Sequence, residues 1–100
     1  MASSLSIGRD PKNDLILSFQ GISSEHARIV LVDKAAMQFE IHDLGSTNGT
    51  FVDGERVSQA EFSLQNEIRL GNSVVDPEMY VPLFYSQSKS FFKRLPTSAG

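Results

Sequence analysis

Short stretches of alternating apolar and polar residues, each closed by a turn signal, run the length of this chain. Leu5-Ser6-Ile7 reads as a strand ending where Gly8 lets the backbone turn. Arg9-Asp10-Pro11-Lys12-Asn13-Asp14 is charge and turn chemistry around a proline that cannot donate to a ladder, so it reads as a loop. Leu15-Ile16-Leu17 returns to strand composition, and Gln20-Gly21 between Phe19 and Ile22 is a further turn. His26 to Val32 is the longest candidate strand, with Ala27, Ile29 and Leu31 on one face and Arg28, Val30 and Val32 on the other. Neither face is strongly polar, which predicts a place in the middle of a sheet. Asp33-Lys34-Ala35-Ala36 is too short for a stable helix and reads as a solvated connection. Gln38 to Asp43 then alternates cleanly, placing Phe39 and Ile41 inward.

The stretch from Asp43 to Gly54 organises the rest. Asn48-Gly49 and Asp53-Gly54 tolerate positive φ and allow two reversals within a dozen residues. Between them, Thr50-Phe51-Val52 has strand composition, and Arg56-Val57 is expected to pair back onto Phe51-Val52. Phe62-Ser63-Leu64 and Glu67-Ile68-Arg69-Leu70 are two more short strands, followed by punctuation at Gly71-Asn72-Ser73 and Asp76-Pro77. Met79 to Tyr85 reads as a late strand, placed at an edge or a bulge because it contains Pro82. With no helical period along the chain, the pattern predicts an all-β sandwich of two twisted, mostly antiparallel sheets.

Composition narrows the possible partners. One hundred residues fit a single domain. A hydrophobic fraction of 40% and a charged fraction of 21% are those of a globular chain rather than a disordered one. A formal net charge of −3 disfavours nucleic acid, which calls for a basic stripe, but leaves room for a local anion site. The absence of cysteine excludes disulfides and thiolate metal sites and fits a cytoplasmic setting, or a nuclear one in a eukaryote. No apolar run approaches the roughly 20 residues a spanning helix needs, so no membrane partner is expected. Met1-Ala2-Ser3-Ser4 is no signal peptide and reads as a remnant of expression.

Three positions suggest where an anion could bind. Ser46, Thr47 and Asn48 sit where a curved backbone exposes hydroxyl, amide and N–H donors together. Arg9 offers a permanently charged planar fork that matches two phosphate oxygens, and the alternative is a solvated arginine paired with Asp10 or Asp14. Ser23 and Ser24 place two hydroxyls at a loop-to-strand junction. Ser23, His26 and Asp43 also invite a hydrolase reading, but no strand-to-helix elbow is present to expose a nucleophile. Two histidines without cysteine make a poor zinc site, and the Gly45 to Thr50 loop lacks the lysine and following helix of a nucleotide phosphate loop. Asn48-Gly49-Thr50 formally matches a glycosylation acceptor, though nothing points to secretion.

Gly8-Arg9, then Ser23-Ser24-Glu25-His26, then Asn48-Gly49-Thr50, in that order and at this spacing, resemble the forkhead-associated (FHA) domain. The motifs run from Ile7 to Gly54, with a weaker echo from Leu64 to Gly71. The resemblance implies a phosphothreonine-peptide-binding module that is not an enzyme and carries no cofactor or metal. It implies phosphate contacts from Arg9 and Ser23, with Ser24 beside them, Thr47 near the phosphate, and Asn48 on the peptide backbone. Gly8, His26, Gly49, Thr50 and Asp53 would be architectural, with His26 holding the Ser23 and Asn48 loops in register. Ser24 stands where the family more often has Arg, Lys or Asn, which removes a second cationic or amide contact; Lys12 and Arg28 are the candidates to replace it. Asp53 stands where the family usually has Asn.

The ends depart from the family pattern. The family usually has about two strands before its Gly-Arg, whereas seven residues precede Gly8 here, so the N-terminal edge of the sandwich is shortened. The domain is expected over residues 5 to 85, with 86 to 100 as an edge strand or a flexible tail. An open edge invites another strand, supplied by that C-terminal segment or by a second copy in a homodimer. The expected function is a phosphopeptide-binding adaptor, and the alternative is a phosphate-independent interaction or self-assembly domain of the same fold.

Overall fold

In the computed structural model, residues 4–85 are described, and they form β1 (Ser4–Gly8), β2 (Leu15–Ile16), β3 (Ala27–Asp33), β4 (Gln38–Asp43), β5 (Thr50–Val52), β6 (Glu55–Val57), β7 (Gln59–Phe62), β8 (Ile68–Leu70), β9 (Ser73–Val75) and one helix, α1 (Pro77–Phe84). One sheet has the order β2-β1-β3-β4-β7 and the other β6-β5-β8-β9, with every pairing antiparallel except β1 with β2. The chain is an all-β sandwich closed by a short helix. As expected, β3 is the central strand of its sheet. The tight turn between β5 and β6 has Asp53 at φ 52° and Gly54 at φ 85°, the two positive values that suit strand twist in a two-residue hairpin.

Alternation decides which residues meet between the sheets. Leu5, Ile7, Ala27, Ile29, Phe39, Ile41 and Phe62 are buried from the first sheet, and Ile68, Leu70 and Val75 from the second. Tyr80 and Phe84 enter this core from α1. Phe39 stacks on Phe62 with centroids 5.4 Å apart, and Tyr80 meets both rings edge-on at 5.4 and 5.9 Å. Such geometry suits the ring quadrupoles. The Tyr80 hydroxyl is buried with no hydrogen-bond partner among the described residues, and burial pushes its pKa up to about 12.

The helix corrects the expected edge strand over Met79 to Tyr85. Asp76 is extended at φ −75° and ψ 149°, and Pro77 occupies the first turn, where a missing N–H costs nothing. Tyr80 and Phe84, four residues apart, then fall on one buried face. Pro82 forgoes a single bond to the Glu78 carbonyl, and aromatic burial outweighs that loss in so short a helix. Several strand boundaries also differ from expectation, Leu17 and Glu67 among them, since they fall outside β2 and β8. Ser73 belongs to β9 rather than to a turn, Leu64 lies in a turn after β7, and Ser4 pairs with Val30 inside β1. Residues 86–100, expected as an edge strand or tail, lie outside the described residues.

Candidate functional site

The site starts where β1 runs out. The N–H groups of Arg9 and Asp10 donate to the carbonyls of Ser23 (3.0 Å) and Ser24 (3.2 Å), which zips the β1 exit to the loop before β3. A Cβ at Gly8 would stand 2.0 Å from the Ser24 carbonyl oxygen and 2.7 Å from the Asn13 amide nitrogen. Close approach of backbone, rather than a turn at a positive φ, is therefore why glycine is needed there. Buried Asn13 locks the same junction, donating from Nδ2 to the carbonyls of Asp10 (2.9 Å) and Ser24 (2.7 Å).

The Arg9 guanidinium is exposed, and no carboxylate among the described residues pairs with it. Asp10 instead accepts the Lys12 N–H at 2.9 Å, and Asp14 accepts the Ser6 N–H at 2.9 Å. The alternative of an arginine neutralised by either aspartate is thereby excluded. Lys12 and Arg28, the candidate replacement cations, are both committed elsewhere. Lys12 Nζ lies 3.2 Å from Glu25, whose hydrogen bond and charge raise the lysine pKa, and Arg28 reaches the Ser4 hydroxyl at 3.4 Å.

His26 is fully buried and bridges the two loops. The Ser23 backbone N–H donates to His26 Nδ1 at 3.1 Å, so that nitrogen must be the acceptor and the proton sits on Nε2. Nε2 in turn donates to the Gly49 carbonyl at 2.8 Å. The main-chain N–H of His26 donates to Ile7, and its carbonyl accepts the Leu44 N–H, so one residue joins β1 to both loops. Ser23, His26 and Asp43 do not form a catalytic relay, because His26 engages a backbone N–H of Ser23 and not its hydroxyl, while Asp43 has other partners.

Those partners are the loop from 43 to 50 itself. One Asp43 oxygen accepts the N–H groups of Gly45 (3.0 Å) and Ser46 (3.1 Å); the other accepts the hydroxyls of Ser46 (2.5 Å) and Thr50 (2.7 Å). Ser46 Oγ also accepts the Gly49 N–H at 3.0 Å. Partial burial alone would raise the Asp43 pKa, but the four donors prevail and lower it from 3.8. A carboxylate depressed in the fold stabilises it above its unfolded pKa, and that contribution disappears as pH falls through the folded value. Acidification below about pH 4 should therefore loosen the domain, as followed by denaturant midpoints at pH 7 and pH 3. Asp43→Asn should be less stable than the parent at pH 7 and show a shallower decline; an unchanged slope would contradict this role.

Braced in this way, the loop reaches across to Ser23 and Gly21. The Thr47 N–H donates to Ser23 Oγ at 3.1 Å, which leaves the serine proton free to donate outward. Asn48 Nδ2 donates to the Gly21 carbonyl at 2.8 Å. The result is an open depression lined by Arg9, Gly21, Ile22, Ser23, Ser24, Glu25, Gly45, Thr47 and Asn48. All five residues expected to contact phosphopeptide line this one depression. Gly8, His26, Gly49 and Thr50 do not line it; their contacts tie together the loops that do. Asp53 stands apart, accepting Asn66 Nδ2 (2.6 Å) and the Glu67 N–H (2.8 Å), so it ties the β5–β6 turn to the chain before β8. Ser46, expected to expose its hydroxyl to an anion, is instead buried and spends that hydroxyl on Asp43 and the Gly49 N–H, so it is a framework residue. Asn13 and Asp43 are the framework residues that sequence reasoning missed, and an Asp followed by Ser and Thr at three and seven residues was the available signal for Asp43. No cluster of potential metal ligands occurs among the described residues.

Three comparisons with known proteins agree with this geometry. The FHA domain family model matches residues 5–71. GarA, the glycogen accumulation regulator of Mycobacterium tuberculosis, is 35% identical over 66 residues, which cover 66% of this chain and 39% of that protein. The chain thus spans about two fifths of the length of the curated relatives it matches. Among solved structures, the FHA domain of CT664 from Chlamydia trachomatis has a TM-score of 0.65 and 32% identity, covering 74% of this chain and 76% of that one. Mycobacterium tuberculosis EmbR in complex with a low-affinity phosphopeptide has a TM-score of 0.63 and 34% identity, covering 73% of this chain and 19% of that one. From the family match across two thirds of its length, and from the motif residues brought together on one depression, the chain belongs to the forkhead-associated domain family.

Proposed function

We propose that this domain captures a phosphothreonine in an extended segment of a partner protein, acting as a non-enzymatic signalling adaptor in the cytoplasm. The observation that carries this reading is the Arg9 guanidinium, unpaired among the described residues, on one depression with Ser23, Ser24 and the Thr47 and Asn48 loop. Arg9 supplies the fixed charge and the fork, Ser23 a hydroxyl proton, and Asn48 an unused amide oxygen able to accept a peptide N–H. The phosphopeptide seen with EmbR supports the reading, as does a related solved domain described for phosphothreonine-dependent interactions.

A second reading, phosphate-independent association through the same fold, is favoured by one feature, the uncharged Ser24 beside a single cation. Comparing a phosphothreonine peptide library with its unphosphorylated twin separates the two. Capture of the phosphorylated set only, with phosphothreonine about fourfold tighter than phosphoserine from burial of one methyl group, is expected. Equal capture of both libraries would establish the second reading instead. Dimerisation through an open sheet edge would accompany that outcome and is read by light scattering.

A further inference from the structure

Among the described residues, the cations outside the anion site account for themselves in all but one case. Four of the six lysines and arginines among the described residues are engaged: Lys12 with Glu25, Arg28 with the Ser4 hydroxyl, Lys34 over the Tyr85 ring at 5.2 Å, and Arg69 with Glu67 at 3.2 Å. Arg9 and Arg56 remain, each exposed and without a hydrogen bond or ion pair from its side chain among the described residues. Arg56 lies in β6 opposite Phe51, and its side chain folds back over Gly49. A Cβ at Gly49 would stand 2.7 Å from Arg56 Nε and 3.0 Å from Cζ. Gly49 directly follows Asn48, which lines the depression. The second unpaired guanidinium is therefore one residue beyond the wall of the first one's site.

We propose that Arg56 is a specificity-determining residue, selecting partner segments that carry an aspartate or glutamate within about four residues of the phosphothreonine, roughly 13 Å of extended chain. This rests on the phosphothreonine reading above. A segment anchored at Arg9 that passes over Asn48 heads towards Gly49, over which Arg56 lies, and the planar fork of Arg56 suits a carboxylate. Because the chain carries a net charge of −3, it has no general attraction for acidic peptides, so a preference of this kind must be local.

The test uses the full chain and phosphothreonine peptides in an alanine background, with a single aspartate moved through the four positions on each side. The parent should bind at least one aspartate peptide about two- to fivefold more tightly than the all-alanine one, the gain an exposed ion pair supplies. Arg56→Gln should bring that ratio close to one, and Arg56→Lys should retain part of it. A parent ratio near one at every position would overturn the proposal, as would Arg56→Gln weakening both peptides equally, which marks a purely structural arginine. Failure of the phosphothreonine reading looks different, since then no phosphorylated peptide outperforms its unphosphorylated twin.

Discussion

Arg9→Ala should abolish phosphopeptide capture while leaving the domain folded. The guanidinium is exposed and bonded to no described side chain, so its removal leaves no buried group unsatisfied and should change stability by less than about 0.5 kcal/mol. Its expected contribution to binding is far larger. Charge-assisted hydrogen bonds contribute about 1.5–3 kcal/mol each, and a bidentate pair lost together weakens binding by at least about a hundredfold. Calorimetric titration of a phosphothreonine peptide against both proteins, with matched thermal melts, gives the answer. Retained affinity would place the anion site elsewhere. Lys12→Ala is the informative control, because that lysine is already paired with Glu25 and should matter much less.

Gly8→Ala should have a different signature, with loss of stability and binding together. The added methyl would overlap the Ser24 carbonyl oxygen at 2.0 Å, a backbone atom that cannot rotate away. Relief requires parting the β1 exit from the Ser24 loop, which strains or breaks the two backbone bonds from Arg9 and Asp10 and the pair from Asn13. Overpacking of this kind costs about 1–3 kcal/mol, equivalent to a melting temperature lower by roughly 5–20 °C for a domain of this size. Because the same movement displaces Arg9 relative to Ser23, phosphopeptide affinity should fall in whatever fraction stays folded. A variant as stable as the parent would show that the junction has slack the geometry does not suggest.

The two substitutions illustrate what could be read before the fold was known. Alternation around Phe39 and Ile41, the turn dipeptides, and the placing of His26 to Val32 at a sheet centre were legible because burial in a sheet imposes a period of two on neighbouring residues. The late helix was not. Its cue was Pro77 at a first turn and two aromatics four residues apart, and a proline at position 82 outweighed that cue in the reading. Aromatic packing against Phe39 and Phe62, decided by residues about twenty to forty positions away, reverses the balance.

By itself the sequence determined the sandwich class, the loops at issue and the residue types able to meet an anion, since periodicity, turn chemistry and side-chain charge are local properties. Only the tertiary structure decided that Arg9 is unpaired among the described residues while Lys12 is taken by Glu25, and that Gly8 serves close approach. It also decided that the Asp43 carboxylate holds the loop and that Arg56 leans over Gly49. Each of these depends on which distant groups arrive at the same place, and free charges and steric clearance exist only between such groups.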